Sequence, residues 1–508
     1  MLQSEGGLHS EEQGGVMVRE EAKVRTSYGV VQGAVDHGVY NWRGIPYAQR
    51  LDEGTSFLPP EAITRWSGVL MAKEFSGICP QRSVLRKNVS WNCLTLNIWS
   101  PALDAKRRPV LFFIHGGSFK HGAGSESYYN GAHLARTWDI VVVTCNYRLG
   151  VYGFLDFSEL DPQFSSNNGV RDIVAALRWI HHAIADFGGD PELVTLVGQS
   201  AGATMVSALV TMDSIRSYFH RAVMMSGGPT QLQSTDTCKA TTRSFLEYSE
   251  ITTARELTSL SWDQLISRQK AFIRSYGMGA ATFRITVDRD LVPAMPIDAA
   301  QRGLVSVPLL IGTTKEEMGF LAIKPLARLL DVHTIVKHGL AREEDAVLEQ
   351  LEEAYHAAYG ERGRSMFYTD LLFRISSLWF AQALAQHKGA WMYRFDFETA
   401  VLRMNGLHAI HSSDLPFVFG NFKPVLVRPL FLLDHDKHVI YSVAEHVQRD
   451  LVNFMRTGVL DWPQSTARTT DGKCYNELST IDEMIDQTVN QIYGHTVYKK
   501  TSLTGVPI

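Results

Sequence analysis

Six short runs of this chain are almost wholly apolar: Val110–His115 (VLFFIH), Ile140–Tyr147 (IVVVTCNY), Leu193–Gly198 (LVTLVG), Ala222–Gly227 (AVMMSG), Pro308–Thr313 (PLLIGT) and Trp391–Phe397 (WMYRFDF). A strand with one wet face alternates apolar and polar residues, whereas a strand covered on both faces does not. The runs therefore predict strands of a mostly parallel sheet. Between them lie helical patterns. Val170, Ile173, Val174, Leu177 and Ile180 recur at helical spacing before a stop at Gly188-Gly189. Val443, Val447, Leu451 and Phe454 mark another helix that ends before Gly458. Strands alternating with helices predict the α/β class, a sheet flanked by helices. Ahead of them, Val24 to Ala48 holds short β-rich runs broken by glycine turns such as Asp36-His37-Gly38, which predicts antiparallel strands. A long helical stretch from about Leu326 to Gln386 interrupts the rhythm, and insertions over a sheet often carry the substrate pocket. No repeat or linker divides the chain. We expect a flexible leader over residues 1–23 and one elaborated domain over residues 24–508.

Composition changes this picture little. Hydrophobic residues at 45% and charged residues at 20% fit a globular protein with a large core, and a net charge of -4 argues against nucleic acid as the main partner. No apolar stretch is long enough for a membrane span. The N-terminus carries glutamates where a signal peptide carries basic residues, so the expected location is the cytoplasm. The five cysteines show no C-x-x-C spacing or Cys/His cluster, which predicts neither a metal nor a disulfide framework. Asn88-Val89-Ser90 has the form of a glycosylation sequon but lacks an export context.

One segment carries chemistry. Gly198-Gln199-Ser200-Ala201-Gly202 is a G-x-S-x-G sequence, weak by itself in a chain with 40 glycines. Its setting is what counts. A buried-strand pattern precedes it and the helix-compatible AGATMVSALV follows. Strand, tight turn and helix are what a nucleophile elbow requires: the turn lifts the Ser200 hydroxyl above the sheet edge, and glycines avoid Cβ clashes where strand and helix cross. The Ala201 amide at the helix start would face a developing oxyanion. Upstream, His115-Gly116-Gly117 follows another buried run, and small residues there let the Gly116 and Gly117 amides approach the same oxygen.

With these motifs in order, the sequence resembles the type-B carboxylesterase/lipase family, and is closest in style to its bacterial para-nitrobenzyl esterases. FGGDPELVTLVGQSAGA resembles the family's nucleophile signature, and NWRGIPYA, CLTLNIWSP, HGGSF, VTCNYRLGVYGFL, IGTTKEEMGFL and HSSDLPFVFG resemble further blocks. The resemblance runs from about Val24 to beyond Trp462 and implies the α/β-hydrolase fold. It also implies a Ser-Glu-His triad: Ser200 as nucleophile, Glu317 rather than its neighbour Glu316 as acid, and His411 rather than His408 as base. Gly116, Gly117 and Ala201 become the oxyanion donors, and no cofactor or metal is needed. Phe320, Leu321, Phe367, Leu371 and Leu372, near the acid block or in the inserted helices, are candidate pocket walls, with plain core packing as the alternative for each.

Departures bear on specificity. The family usually has an acidic residue before the nucleophile, and here Gln199 is neutral and also a pocket candidate. The short segment between Cys79 and Cys93 leaves little room for an aromatic choline-binding loop. Secreted relatives commonly bridge that cysteine pair, whereas free thiols are expected in the cytoplasm. The expected activity is hydrolysis of small to medium uncharged esters through an acyl-enzyme. A catalytically silent binding or adhesion protein, and a lipase or amidase using the same triad, are the alternatives.

Overall fold

The computed structural model describes residues 22–82, 88–276, 282–322, 345–424, 428–431, 437–466, 469 and 471–484. Residues 1–21 of the expected leader and the first part of the expected helical insertion, 326–344, lie outside the described residues. The leader was expected to reach residue 23, but Ala22 is buried and Lys23 opens the first strand. The Ala22 carbonyl accepts the Gly33 amide at 2.7 Å and the Trp42 indole N–H at 3.0 Å, which ties this end to the sheet.

All six apolar runs form strands, and they lie side by side. Among the described residues the main sheet has 11 strands. From edge to edge it runs Thr480–Glu483, Asp471–Tyr475, Trp391–Phe395, Leu309–Thr314, Arg221–Met225, Gly189–Gln199, Arg108–Ile114, Val141–Cys145, Thr95–Ser100, Val39–Pro46 and Ala34–Asp36. From Asp471–Tyr475 to Val141–Cys145 every pairing is parallel, and the pairings outside that block are antiparallel. At the N-terminal edge His37 and Gly38 both have positive φ, 48° and 76°, and close the hairpin between Ala34–Asp36 and Val39–Pro46.

The lack of polar alternation has its expected cause. Val110, Phe112 and Ile114 belong to one apolar cluster together with Val170, Ile173 and Leu177 of the helix Asn168–Ala183. Leu111 and Phe113 belong to a second cluster with Val443, Val447, Leu451 and Phe454 of the helix Lys437–Thr457. Successive side chains of one strand thus enter opposite cores, each covered by helices. The first helix gives way to a short turn over Ile184–Phe187, ended by Gly188 at φ 82°, and the second stops before Gly458 at φ 73°.

Parallel strands bring their C-terminal ends to one edge of the sheet. Met225 pairs with both Gln199 and Gly312 there, and Thr314 pairs with Phe395. The loops that leave this edge carry every residue of the candidate site. The five cysteines are buried free thiols, Cys79 and Cys93 included.

Candidate active site

Ser200 sits one residue beyond the strand Gly189–Gln199 and caps the helix Ala201–Leu209 with φ 57° and ψ -125°. A non-glycine residue there is strained, and its surroundings show what holds it. The Ser200 amide donates to the Met225 carbonyl at 2.8 Å, and its own carbonyl accepts from the amides of Ala203 and Thr204. A Cβ on Gly198 would stand 2.2 Å from the Gly202 carbonyl oxygen, and one on Gly202 would stand 2.0 Å from that of Ile114. Only glycines allow this crossing. The Ser200 hydroxyl makes no capping bond, so it is left for other partners.

The loop after Arg108–Ile114 packs against the same turn. A Cβ on Gly116 would lie 2.9 Å from the Ser200 Cβ, so the Gly116 backbone passes beside the serine. Gly117 has φ 117°, and a Cβ on it would come within 1.9 Å of the His121 carbonyl oxygen. The loop is braced from behind: the His115 ring stacks on Tyr147, whose hydroxyl donates to the His115 carbonyl at 2.8 Å. Ala201 is the first residue of its helix, where amide groups lack intrahelical acceptors.

The acid and base candidates are resolved from their neighbours by direction. Glu317 is fully buried; its Oε1 accepts the Thr314 amide at 2.7 Å and its Oε2 lies 2.6 Å from His411 Nδ1. The His411 amide also donates to the Glu317 carbonyl at 3.1 Å. Glu316 points elsewhere, to the Arg362 guanidinium, with His408 at 3.9 Å. His408 pairs with Glu398 at 2.6 Å. Two carboxylates adjacent in sequence thus serve two separate networks.

Gln199 is 2% exposed and its amide nitrogen reaches both Ser412 Oγ, at 2.8 Å, and His411 Nε2, at 3.3 Å. A cavity of about 400 Å³ opens over these groups. Gly116, Gly117, Gln199, Ser200 and His411 line it, with an apolar wall of Leu402, Ile410, Leu415, Leu430 and Phe431 and a more polar one that includes Glu126, Tyr128 and Tyr129.

The pocket walls need correction. Of those proposed from sequence, Gln199 lines this cavity, and Phe320, Leu321, Phe367, Leu371 and Leu372 do not. They pack with Met318, Leu351 and Tyr355 in a third apolar cluster, because the helices Asp345–Tyr359 and Gly363–Thr369 bury their apolar faces against each other. From the described part of that insertion Phe373 reaches the site, its ring centroid 4.9 Å from that of His411. Sequence reasoning missed Phe373, Glu126 and Ser412, for which no pattern stood out. It also missed Asp414, although an acid at the head of the apolar run LPFVF is a signal.

Asp414 is 1% exposed, its Oδ2 is 3.5 Å from the Tyr393 hydroxyl, and its Oδ1 has no hydrogen-bond partner among the described residues. Burial first, and the nearby Glu317 charge second, push its carboxyl up from an ordinary 3.8 to about 7. The folded protein therefore holds a proton that the unfolded chain releases, so stability falls as pH rises from about 4 towards 7. Asp414→Asn removes that penalty. Its gain in unfolding free energy over wild type is expected to be larger at pH 8 than at pH 5 by on the order of 2–3 kcal/mol. Urea titrations of both proteins at the two pH values check this, and an equal gain at both would refute it.

Among the described residues, no three His, Cys, Asp or Glu side chains converge as a metal site requires, and no helix is long and apolar enough to cross a membrane. Comparison with known proteins adds the following. Residues 20–490 match the carboxylesterase family. A para-nitrobenzyl esterase of Bacillus subtilis is 33% identical over 480 residues, covering 90% of this chain and 96% of its own. A phenmedipham hydrolase of Pseudarthrobacter oxydans is 29% identical over 85% of this chain and 89% of its own. Among solved structures, a PNB esterase superposes with a TM-score of 0.81 at 31% identity, covering 92% of this chain and 99% of its own. A carboxylesterase of Geobacillus stearothermophilus gives 0.81 at 32% identity over 93% of this chain and 99% of its own.

Proposed function

The chain belongs to the carboxylesterase family and is a carboxylic ester hydrolase of the serine type; from that premise we propose that Ser200, Glu317 and His411 are its triad and that it takes small to medium uncharged esters. The observation that carries the triad is the 2.6 Å contact between Oε2 of the buried Glu317 and Nδ1 of His411, a residue that lines the same cavity as Ser200.

The contact with Glu317 keeps the His411 ring proton on Nδ1 and leaves Nε2 as the base. As the Ser200 oxygen bonds to the ester carbonyl carbon, its proton passes to Nε2. Negative charge then collects on the former carbonyl oxygen, and the amides of Gly116, Gly117 and Ala201 receive it; one such donor is typically worth about 3 kcal/mol. The same proton moves from Nε2 to the departing alcohol as the ester C–O bond breaks. Water, deprotonated by the freed base, attacks the acyl-enzyme, and Ser200 leaves with the proton. Glu317 orients the ring and stabilises the imidazolium that forms.

The substrate reading rests on the cavity. Leu402, Leu415, Leu430 and Phe431 form an apolar wall, and Gln199 beside the serine carries no charge. Among the described residues Glu126 is the one carboxylate in the lining, so a matched pair of substrates discriminates. Acetylcholine and 3,3-dimethylbutyl acetate share a shape and differ by one positive charge. The neutral ester is expected to have a kcat/KM at least equal to that of acetylcholine. A tenfold preference for the cation would overturn this reading and assign cation recognition to Glu126. The buried free thiols favour a reducing compartment, the cytoplasm, for the protein.

A further inference from the structure

The inserted helix is irregular at one place. Between the α-helical segments Gly363–Thr369 and Ile375–Leu384 lies a single π turn, Asp370–Arg374. There the Ile375 amide donates to the Asp370 carbonyl, five residues back. In a plain α-helix, residues five apart are turned about 140° from each other. A turn closed by i→i+5 bonds brings them towards one face, and such turns are frequent at functional sites.

The face that this turn gathers meets the acid and the base. Thr369 Oγ1 accepts the Met318 amide at 3.1 Å, one residue after Glu317. The Arg374 guanidinium donates to the carbonyls of Lys315 and Thr314, two and three residues before it. Phe373 sets its ring centroid 4.9 Å from that of His411. Asp370 holds Arg374 in an ion pair and accepts the Tyr355 hydroxyl at 2.7 Å, which ties the turn to the helix Asp345–Tyr359. Thr369, Asp370 and Arg374 are all buried.

The Glu317–His411 contact leaves two quantities open. The carboxylate sits only as firmly as the backbone of the acid turn, Thr314 to Met318. A hydrogen bond to Nδ1 also fixes one atom of the ring but not rotation about that bond, and rotation moves Nε2 away from Ser200. Packing against the ring limits that rotation without taking either nitrogen. We propose that the π turn registers the acid with the base: Thr369 and Arg374 hold the backbone on both sides of Glu317, while Phe373, from the same turn, holds the plane of the His411 ring. The three are positioning residues, and the inference rests on the reading of Glu317 and His411 as acid and base. None of them lines the cavity, so their loss should fall on kcat and spare KM.

Two substitutions of one residue separate this role from packing. Thr369→Val keeps the side-chain shape and removes the acceptor of the Met318 amide. Thr369→Ser keeps the acceptor and removes a buried methyl. Both are expected to lower the melting temperature. The kcat for p-nitrophenyl acetate should fall about tenfold in Thr369→Val but stay within about threefold in Thr369→Ser, with KM within about twofold in both. Packing alone predicts the reverse order. Phe373→Leu, which keeps apolar bulk but no flat ring, is expected to lower kcat about tenfold at the same KM. The downfield proton resonance of the His411–Glu317 hydrogen bond gives a direct readout. It should persist in Thr369→Ser and broaden by exchange with water in Thr369→Val and Phe373→Leu.

Wild-type kcat in either Thr369→Val or Phe373→Leu, or a Thr369→Ser variant as slow as Thr369→Val, would overturn the inference. Glu317→Gln assayed beside them tests the premise. Full activity in Glu317→Gln overturns the triad, whereas its loss beside unchanged kcat in Thr369→Val and Phe373→Leu overturns only the role of the π turn.

Discussion

Replacing Ser200 with alanine is expected to lower kcat for p-nitrophenyl acetate by on the order of a million-fold, since loss of a serine nucleophile from such a triad costs about that much. The geometry leaves no substitute. The Ser200 hydroxyl makes no capping bond, its backbone is held at φ 57° by the crossing of Gly198 and Gly202, and the Gly116 backbone lies against its Cβ. Of the other serines in the cavity lining, Ser412 and Ser413 follow His411 directly in the chain, and Ser118 belongs to the loop after Arg108–Ile114; none of them stands at a strand–turn–helix crossing. The substitution removes one oxygen at a strained position, so the fold should persist. Circular dichroism and an unchanged melting temperature would show that, and fluorophosphonate labelling should disappear with the activity. Turnover above about one hundredth of wild type by folded Ser200→Ala would remove Ser200 from its role.

Glu317→Gln is expected to lower kcat by three to four orders of magnitude, and the reason lies in the neighbouring backbone. The Thr314 amide donates to Glu317 Oε1 at 2.7 Å, so a glutamine must put its oxygen there. Its NH2 group then faces His411 Nδ1, which has to become an acceptor. The ring proton moves to Nε2, and that tautomer cannot take the Ser200 proton. Glu316→Gln supplies the contrast, because Glu316 faces Arg362 and His408 and sends nothing to His411. Its kcat should stay within about fivefold of wild type. Ester assays on both variants decide the matter, and the reverse ranking would transfer the acid role to Glu316.

Much of this architecture was legible in the chain because its physical cause acts at every residue. The run VLFFIH has no polar alternation since Phe112 and Phe113 enter different cores, and each must be apolar. The turn around Ser200 is equally local: glycines at 198 and 202 answer clashes within a few residues of the serine and with the strand end at Ile114. The resemblance added the choice among acids and histidines, which no local pattern makes. It did not extend to the cavity walls. Leu371 and Leu372 are buried within the third apolar cluster, while Phe373, the next residue, packs against its margin and sets its ring 4.9 Å from that of His411. Neighbours on one helical turn point about 100° apart, so proximity in sequence to a site does not say which of them faces it.

By itself, then, the sequence determined the parallel core, the strand–turn–helix that presents Ser200, and the order of the groups around it. These follow from burial on two faces and from steric needs of the backbone, both of which leave their mark within a short window of residues. Tertiary structure alone decided that Gln199 meets Ser412 and His411, that Asp414 is buried behind the base, and that the cavity is walled by Leu402, Leu415, Leu430 and Phe431. The contacts of Gln199, and the meeting of the wall with Ser200, join segments some two hundred residues apart, and all of these features depend on where loops leave the sheet edge and which way single side chains turn. No periodicity records that direction, because nothing repeats in it.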